Sequence, residues 1–311
     1  MENKAFISIV IPVYNGEKSI VKLVDYLIDE LYLLFKLEIV LVNDCSPDNS
    51  EEACIKAFNN HPDIVKFYSL SKNVGEHNAV MAGLNFSTGA YAVIMDDDFQ
   101  NPVSEVVKLI EFALVSKNDV VYTYYDKKEH SFFRNLGSKF NDKVATILLK
   151  KPKDLYMSSF KIVNKFLLQE IIKYDLPFPY IDGLILRTTS NIGKVKVSHN
   201  KREEGTSNYT LRKLISLWLN MFTNFSVLPL RMSIIIGFVF SLFGFGYGLF
   251  SITEKIFNPE LPMGYTTIIV LISLFSGIQL IALGMVGEYL GRMFMSQNKQ
   301  PQFSIRKSYT Q

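Results

Sequence analysis

The chain predicts an α/β domain built on a mainly parallel sheet, followed by an interfacial helix and two transmembrane helices. Three observations carry this. Short runs rich in Ile and Val alternate with helical patterns in the first part of the chain. Polar clusters fall just after those runs, where parallel sheets hold their ligands. Two long uncharged stretches, 232–253 and 261–287, lie towards the other end.

Residues 6–13, 38–42, 64–70, 91–95 and 119–124 are dense in apolar and β-branched side chains and predict strands. The stretches between the first four are long enough for the crossover helices that parallel neighbours need. Asn15-Gly16-Glu17 follow the first strand, Asn43-Asp44-Cys45-Ser46 the second and Asp96-Asp97-Asp98 the fourth. Three strand ends thereby converge on one candidate site. Pro102 marks the start of a helix, and Ser46 or Asp48 that of another; for these two, capping is preferred to ligand contact.

The acidic run is the most informative feature. Three adjacent carboxylates at a strand tip repel one another, and each raises its neighbour's pKa. Asp96 and Asp98, alternating, can present oxygens to one hard cation, and Mg²⁺ is typically held by one or two carboxylates plus substrate phosphates. This points to a nucleotide-diphosphate substrate. The alternative is a solvated turn that caps the next helix.

A mean hydropathy of +0.15 with 48% hydrophobic residues is high for a soluble enzyme of 311 residues. The excess sits in the two uncharged stretches, and each exceeds the roughly 20 residues a helix needs to cross a hydrocarbon core. Arg292, Lys299, Arg306 and Lys307 follow the second stretch without an acid after Glu288, whereas the connecting loop carries Glu254, Lys255 and Glu260. Both ends of the chain are therefore expected in the cytoplasm. The first residues have neither an apolar core nor a cleavage site of the exported kind. Residues 211–225 alternate basic and apolar side chains at helical spacing and predict a helix lying on the cytoplasmic leaflet. The expected division is a catalytic domain over 1–210, an interfacial helix over 211–230, a two-helix membrane domain over 231–292 and a cytoplasmic tail over 293–311, in the inner (plasma) membrane.

Two cysteines, Cys45 and Cys54, are too few for a disulfide framework, and His61, His77, His130 and His199 form no metal-ligand pair. A net charge of +3 without basic residues interleaved with aromatics sets nucleic acid aside.

At this point motif order and spacing carry a resemblance. Ile11-Pro12-Val13-Tyr14-Asn15-Gly16-Glu17, then Val42-Asn43-Asp44-Cys45-Ser46-Pro47-Asp48, then Asn73-Val74-Gly75 with Ala82-Gly83-Leu84, then Asp96 to Pro102 resemble the successive motifs of the inverting GT-A glycosyltransferases of family two. Ser159-Phe160-Lys161, the 201–209 run from Lys201 to Tyr209, Leu228-Pro229-Leu230-Arg231 and the 287–292 run from Gly287 to Arg292 resemble its polyisoprenyl-phosphate branch, similar to bactoprenol glucosyltransferases and dolichyl-phosphate mannose synthases.

The resemblance implies roles. Pro12, Tyr14 and Glu17 would line the nucleotide pocket, and Asp44 would accept a hydrogen bond from the base, which suits uracil. Asp96 or Asp97 would touch the ribose or metal, Asp98 would be the main ligand of Mg²⁺ or Mn²⁺, and Gln100 would sit near the sugar or the acceptor phosphate. Arg202, backed by Ser207 and Tyr209, would neutralise the leaving diphosphate or bind the lipid phosphate; its alternative is a surface ion pair with Glu203 or Glu204. Arg134 and Lys139 would meet phosphate at the membrane surface or a lipid headgroup. A UDP-sugar such as UDP-glucose would be the donor and polyprenyl (undecaprenyl) phosphate the acceptor. Transfer to a lipid hydroxyl, or a non-catalytic nucleotide-sugar-binding scaffold, is the alternative.

An acceptor phosphate needs no general base, since its second pKa is about 6. A hydroxyl acceptor does, and Asp182, ahead of Gly183, is either that base or a turn cap. The chain departs from the family pattern at several places. Ser159 stands where an acid is frequent, Asn43 where the first of two acids is common, Gly16 replaces an acid and Asp97 a small residue. No Gln-x-x-Arg-Trp sequence is present, and the single Trp218 lies between two leucines, which argues against a processive synthase. Glycines 237, 244, 246, 248, 277 and 284 permit close helix approach, either between copies in a homo-oligomer or within the chain.

Overall fold

The structure is a computed structural model and describes residues 4–125, 151–198, 228–258, 264–298 and 300–310, with 146 and 260. The chain divides into two compact units, Met1–Lys213 with Gln300–Gln311, and Leu214–Lys299.

The first unit is an eight-stranded mixed sheet. Its strands are β1 (Phe6–Val13), β2 (Lys36–Asn43), β3 (Val65–Leu70), β4 (Tyr91–Ile94), β5 (Val120–Tyr124), β6 (Lys161–Asn164), β7 (Ile192–Lys196) and β8 (Ile305–Tyr309), in spatial order β7-β5-β6-β4-β1-β2-β3-β8. β4, β1, β2 and β3 pair in parallel, joined by α1 (Ile20–Leu31), α2 (Ser50–Asn60) and α3 (Glu76–Asn85), and α4 (Val103–Ser116) follows β4. β1 is nearly continuous in apolar residues because helices cover both faces of a parallel strand. α1 buries Ile20, Leu23, Val24, Leu27, Ile28 and Leu31, one helical stripe, against the sheet. On α3, a Cβ at Gly83 would meet Val10 Cγ1 at 2.3 Å, so the missing side chain lets that helix lie close to β1.

The expected strands are present, with β2 beginning two residues earlier than read from sequence. β5 is not beside β4, however. The short β6 inserts between them, antiparallel to both, and β7 completes that flank in parallel with β5. α5 (Lys165–Ile171) and α6 (Ile181–Thr188) connect β6 to β7.

The residues expected as a separate tail are divided between the units. Residues 293–297 end the second long helix, while β8 pairs antiparallel with β3 and closes that edge of the sheet. Tyr309 stacks on Phe67 with centroids 5.6 Å apart, Lys307 pairs with Glu51, and Gln302 Nε2 donates to the carbonyls of Tyr174 and Leu176 at 2.7 and 2.8 Å.

One buried acid braces the end of the sheet opposite the candidate site. Glu38 on β2 accepts from Lys66, Ser8, Thr88 and Gly89. Burial pushes its carboxyl up, but the bonds from Lys66, Ser8 and Thr88 outweigh it and hold the pKa below the ordinary 4.5. A depressed native pKa contributes stability that is present above the unfolded value and is lost as pH falls through the folded one. Glu38→Gln is therefore expected to flatten the acid limb of a plot of melting temperature against pH; a limb parallel to that of the parent would refute this.

The second unit contains α7 (Leu228–Phe257) and α8 (Tyr265–Gln297), both long and apolar enough to cross a membrane, with none of their apolar windows buried. Residues 228–230 of the expected interfacial helix begin α7, and the rest of it lies outside the described residues. A Cβ on Gly244 would meet Phe275 Cζ at 3.0 Å, so this glycine serves packing within the chain, where Phe240 also meets Phe275. Among the described residues, nothing approaches a Cβ at Gly237, Gly246, Gly248, Gly277 or Gly284 within 4 Å.

Candidate active site

Four loops leave the carboxyl ends of β1 to β4, and each turns through one left-handed residue. These are Asn15 (φ 61°), Cys45 (φ 52°), Gly75 (φ 87°) and Phe99 (φ 56°). Three of the four are not glycine, and such conformations persist where the surroundings over-determine them.

Pro12 accounts for where the pairing of β1 with β4 ends. The Val10 carbonyl accepts from Met95 N at 3.2 Å, and β1 pairs with β4 only as far as Val10 with Ile94. Residue 12 faces the same neighbour, two positions on, and proline has no N–H to continue the ladder. The acidic loop therefore diverges from β1 at this point.

The loops are stitched to one another. Asn15 N donates to Ser46 Oγ (3.2 Å), Gly16 N to Ser50 Oγ (2.8 Å), Glu17 N to Asp48 Oδ2 (3.3 Å), and Asn49 N back to Glu17 Oε2 (3.2 Å). Asp48 Oδ1 accepts from Ser50 N at the start of α2, although the N-cap position itself is held by Asn49, not by Asp48 or Ser46 as expected. Ser46 instead ties the β2–α2 loop to the β1–α1 loop. Asn43, at a position where an acid was anticipated, accepts from Ser46 N and shapes the turn. Tyr14 stands exposed at the mouth.

Asp44 is buried, and its two carboxylate oxygens accept from Val74 N (2.7 Å) and Gly75 N (2.9 Å). Burial raises its pKa and these N–H bonds oppose the rise. The residue expected to meet a base thus also holds the β3–α3 loop beside β2.

The three acids have three different seats. Asp96 Oδ2 accepts from Ser159 Oγ at 2.7 Å, from the β6 side. Asp97 lies under the β1–α1 turn, where a Cβ on Gly16 would come within 2.1 Å of its Oδ2. Asp98 Oδ1 accepts from Gln100 N at 3.2 Å. Behind them Asn101 is buried and accepts from Tyr125 OH (3.0 Å), which also meets Ser158 Oγ (3.2 Å). The segment 158–160 therefore clamps the acidic loop. Ser159 has this function because its hydroxyl donates to Asp96, whereas the acid frequent at this position would repel it.

Among the described residues, no group of three or more His, Cys, Asp or Glu side chains is arranged to hold a metal by itself. This donor set suits an ion that completes its shell with phosphate oxygens and water, the habit of Mg²⁺.

Asp182, in the first turn of α6, is neither a simple turn cap nor an uncommitted carboxylate. It is buried, ion-paired with Lys161, and accepts from Tyr122 OH at 2.8 Å. Lys161 Nζ also lies 5.0 Å from the Tyr122 ring centroid. Beside this cluster His77 meets Tyr180 edge to face at 5.1 Å, and burial lowers its pKa to about 4. Glu76 reaches solvent, yet the protein crowded around it and then the charge of Asp96 push its carboxyl up to about 7. Sequence reasoning missed Glu76, His77, Lys161 and Tyr125 as neighbours of the site. Glu76 and His77 had a legible signal, since they open a helix directly after Asn73-Val74-Gly75, and so did Lys161, which closes the Ser159-Phe160-Lys161 motif. Arg134, Lys139, Arg202, Ser207 and Tyr209 lie outside the described residues.

Comparison with known proteins agrees with this geometry. A family model described as Glycosyl transferase family 2 matches residues 8–176. Over 304 residues the chain is 30% identical to the undecaprenyl-phosphate 4-deoxy-4-formamido-L-arabinose transferases of Yersinia pestis (strain Pestoides F) and Yersinia pseudotuberculosis serotype O:3 (strain YPIII), covering 97% of this chain and 93% of theirs. Among solved structures, the UDP complex of glucosyl-3-phosphoglycerate synthase from Mycobacterium tuberculosis aligns with a TM-score of 0.51 at 18% identity, covering 70% of this chain and 79% of that one. A complex of the same synthase with Mn²⁺, UDP and phosphoglyceric acid also gives 0.51 at 18% identity, over 70% and 78%. The likeness to the synthase is one of fold, the GT-A arrangement anticipated from the motifs. With its model matched over more than half the chain and relatives aligned over nearly all of it, this glycosyltransferase belongs to glycosyl transferase family 2.

Proposed function

We propose that the protein transfers a single sugar, with inversion, from a UDP-sugar to the phosphate of a polyprenyl (undecaprenyl) chain at the cytoplasmic leaflet of the inner membrane. The observation that carries this reading is the union in one chain of an acidic strand end, Asp96 and Asp98, with two long apolar helices whose apolar windows are unburied. The Yersinia relatives, named for undecaprenyl phosphate, align over 97% of the chain.

Asp98, with Asp96 beside it, would hold Mg²⁺ or Mn²⁺, which when bound offsets the charge of the diphosphate. The mycobacterial synthase of the same fold carries Mn²⁺ with UDP. Ser159 orients Asp96 by donating to its Oδ2, and Asp96 is assigned to the ribose or the metal. Pro12, Tyr14 and Asp44 line the nucleotide side. Glu17, already bonded to Asn49, contributes by holding two loops together. Gln100 is assigned to the sugar or acceptor phosphate, and Arg202 with Ser207 and Tyr209 to the leaving diphosphate or lipid phosphate.

The state of Asp182 favours a phosphate acceptor over a hydroxyl. A general base must present its carboxylate to the substrate, and Asp182 is buried, with its Oδ1 held by both Lys161 and Tyr122. An acceptor phosphate, with a second pKa of about 6, attacks without such help.

Chain connectivity supports the same-side topology. The first unit ends at Lys213 and resumes at Gln300, and β8 joins its sheet. A chain that crosses a bilayer between those points must cross an even number of times, which two spans satisfy. The catalytic unit then comprises 1–210 with the final strand, next to an interfacial helix over 211–230 and membrane helices over 231–292.

The test is lipid mass spectrometry on the purified full-length protein with undecaprenyl phosphate, Mg²⁺ or Mn²⁺, and a panel of UDP-, GDP- and dTDP-sugars. UDP-glucose and UDP-4-deoxy-4-formamido-L-arabinose are separate arms. A sugar-phosphate lipid formed with one UDP donor is the expected result. Nucleotide binding without product from any donor would overturn it in favour of a scaffold or a hydroxyl acceptor.

A further inference from the structure

Gly16 and Asp97 lie in different loops, and the fold brings them together. Asn15 makes the left-handed step of the β1–α1 turn, and Gly16 is not among the residues of positive φ. The glycine is thus not required for backbone freedom. It supplies space, which the end of the Asp97 side chain takes. A Cβ at position 16 would lie 2.1 Å from Asp97 Oδ2, 3.2 Å from its Cγ and 2.9 Å from Val13 Cγ1, and Cβ contacts under 3.0 Å are essentially unknown in proteins.

The turn cannot easily withdraw from this contact. Gly16 N donates to Ser50 Oγ at 2.8 Å, and Ser50 Oγ donates in turn to Asp48 Oδ1 at 2.5 Å. Asp97 also faces α2: its charge, with those of Asp48 and Glu51, adds to the burial that raises the Cys54 thiol pKa. Asp96, by contrast, is engaged from the β6 side through Ser159. Because β4 lies between β6 and β1, the adjacent acids are drawn to opposite sides of the strand end.

We propose that Gly16 and Asp97 act as one unit: the space left by the missing side chain at 16 is taken by the Asp97 carboxylate, which supplies the negative charge beside the β1–α1 turn from the neighbouring loop. Asp97 is then a positioning residue, taking the space beside Gly16 and setting the β1–α1 turn, with Tyr14 and Glu17, against the acidic loop. Any side chain at 16 displaces it, and an acid at 16 replaces it. The consequence for nucleotide affinity rests on the donor-site reading above; the coupling of the two positions does not.

Full-length protein in detergent would be compared as parent, Gly16→Ala, Asp97→Ala, and the double variants Gly16→Ala/Asp97→Ala and Gly16→Glu/Asp97→Ala. The readouts are UDP affinity by calorimetry with Mn²⁺, the donor KM against kcat, and the melting midpoint. Gly16→Ala is expected to weaken UDP binding about tenfold or more, through overpacking. Adding Asp97→Ala should return affinity to within about threefold of Asp97→Ala alone, a non-additivity confined to touching residues. Gly16→Glu/Asp97→Ala should recover the donor KM of the parent, with kcat less affected than KM across the series. Additive effects, or a Gly16→Ala protein indistinguishable from the parent, would overturn the proposal. If Gly16→Ala does not fold, a cooperative melt restored in the double variant supports the pair, and failure to restore it counts against. If the parent binds no nucleotide, the donor reading falls, and the melting midpoints still decide whether the two positions are coupled.

Discussion

Asp98→Ala is expected to lower turnover by about 10²–10³-fold, the loss seen when one preorganised electrostatic contact to developing charge is removed. The reason is local. Sugar transfer gathers negative charge on the leaving diphosphate, and Asp98, partly buried at this strand end, accepts from the Gln100 N–H of its own loop. Asp96 is braced by Ser159, and Asp97 is seated under Gly16. The variant should melt like the parent, because Asp98 is only partly buried and lies outside the hydrophobic core. Product formation measured at saturating Mn²⁺, alongside a melting curve, checks both halves. A variant retaining most of its activity would move the metal-holding role to Asp96 alone.

Asp182→Asn should act on stability first. The change leaves the buried Lys161 ammonium without its counter-ion, and breaking a buried pair from one side costs about 3–5 kcal/mol. Both side chains are nearly inaccessible, at 5% and 11% exposure, so solvent offers little compensation. A catalytic base would behave differently: its amide variant would lose activity and keep the melting temperature. The complementary check is Asp182→Leu with Lys161→Met, because replacing both members of such a pair by apolar groups is often neutral or stabilising. Recovery of the melting temperature in that double variant would establish the ion pair as structural. A melting temperature unchanged in Asp182→Asn would reopen the base reading.

The parts of this molecule visible in its sequence are those set by neighbours along the chain. Phe6–Val13 reads as a strand because a nearly continuous apolar run, rich in Ile and Val and buried on both faces, suits a parallel sheet. The 232–253 stretch reads as a span because its composition leaves it no other solvent. The acidic run reads as a candidate cation site because three like charges at a strand tip repel one another. β6 and β8 were not legible for the opposite reason. Lys161–Asn164 is four residues long, too short for a period, and its antiparallel place follows only from the edges that β4 and β5 offer it. Ile305–Tyr309 is mostly exposed, and it becomes a strand because Tyr309 finds Phe67 and Lys307 finds Glu51.

The same division runs through the site. Residue type and order along the chain determined where the acids lie, which loops meet them and that the chain is a family-two glycosyltransferase. Only the tertiary structure decided what each acid does: Asp44 holds the β3–α3 loop, Asp182 neutralises Lys161, and Asp97 fills the space left by Gly16. A carboxylate's role is set by the donors and the volume around it, and those come from residues distant in sequence that packing alone brings within a few ångströms.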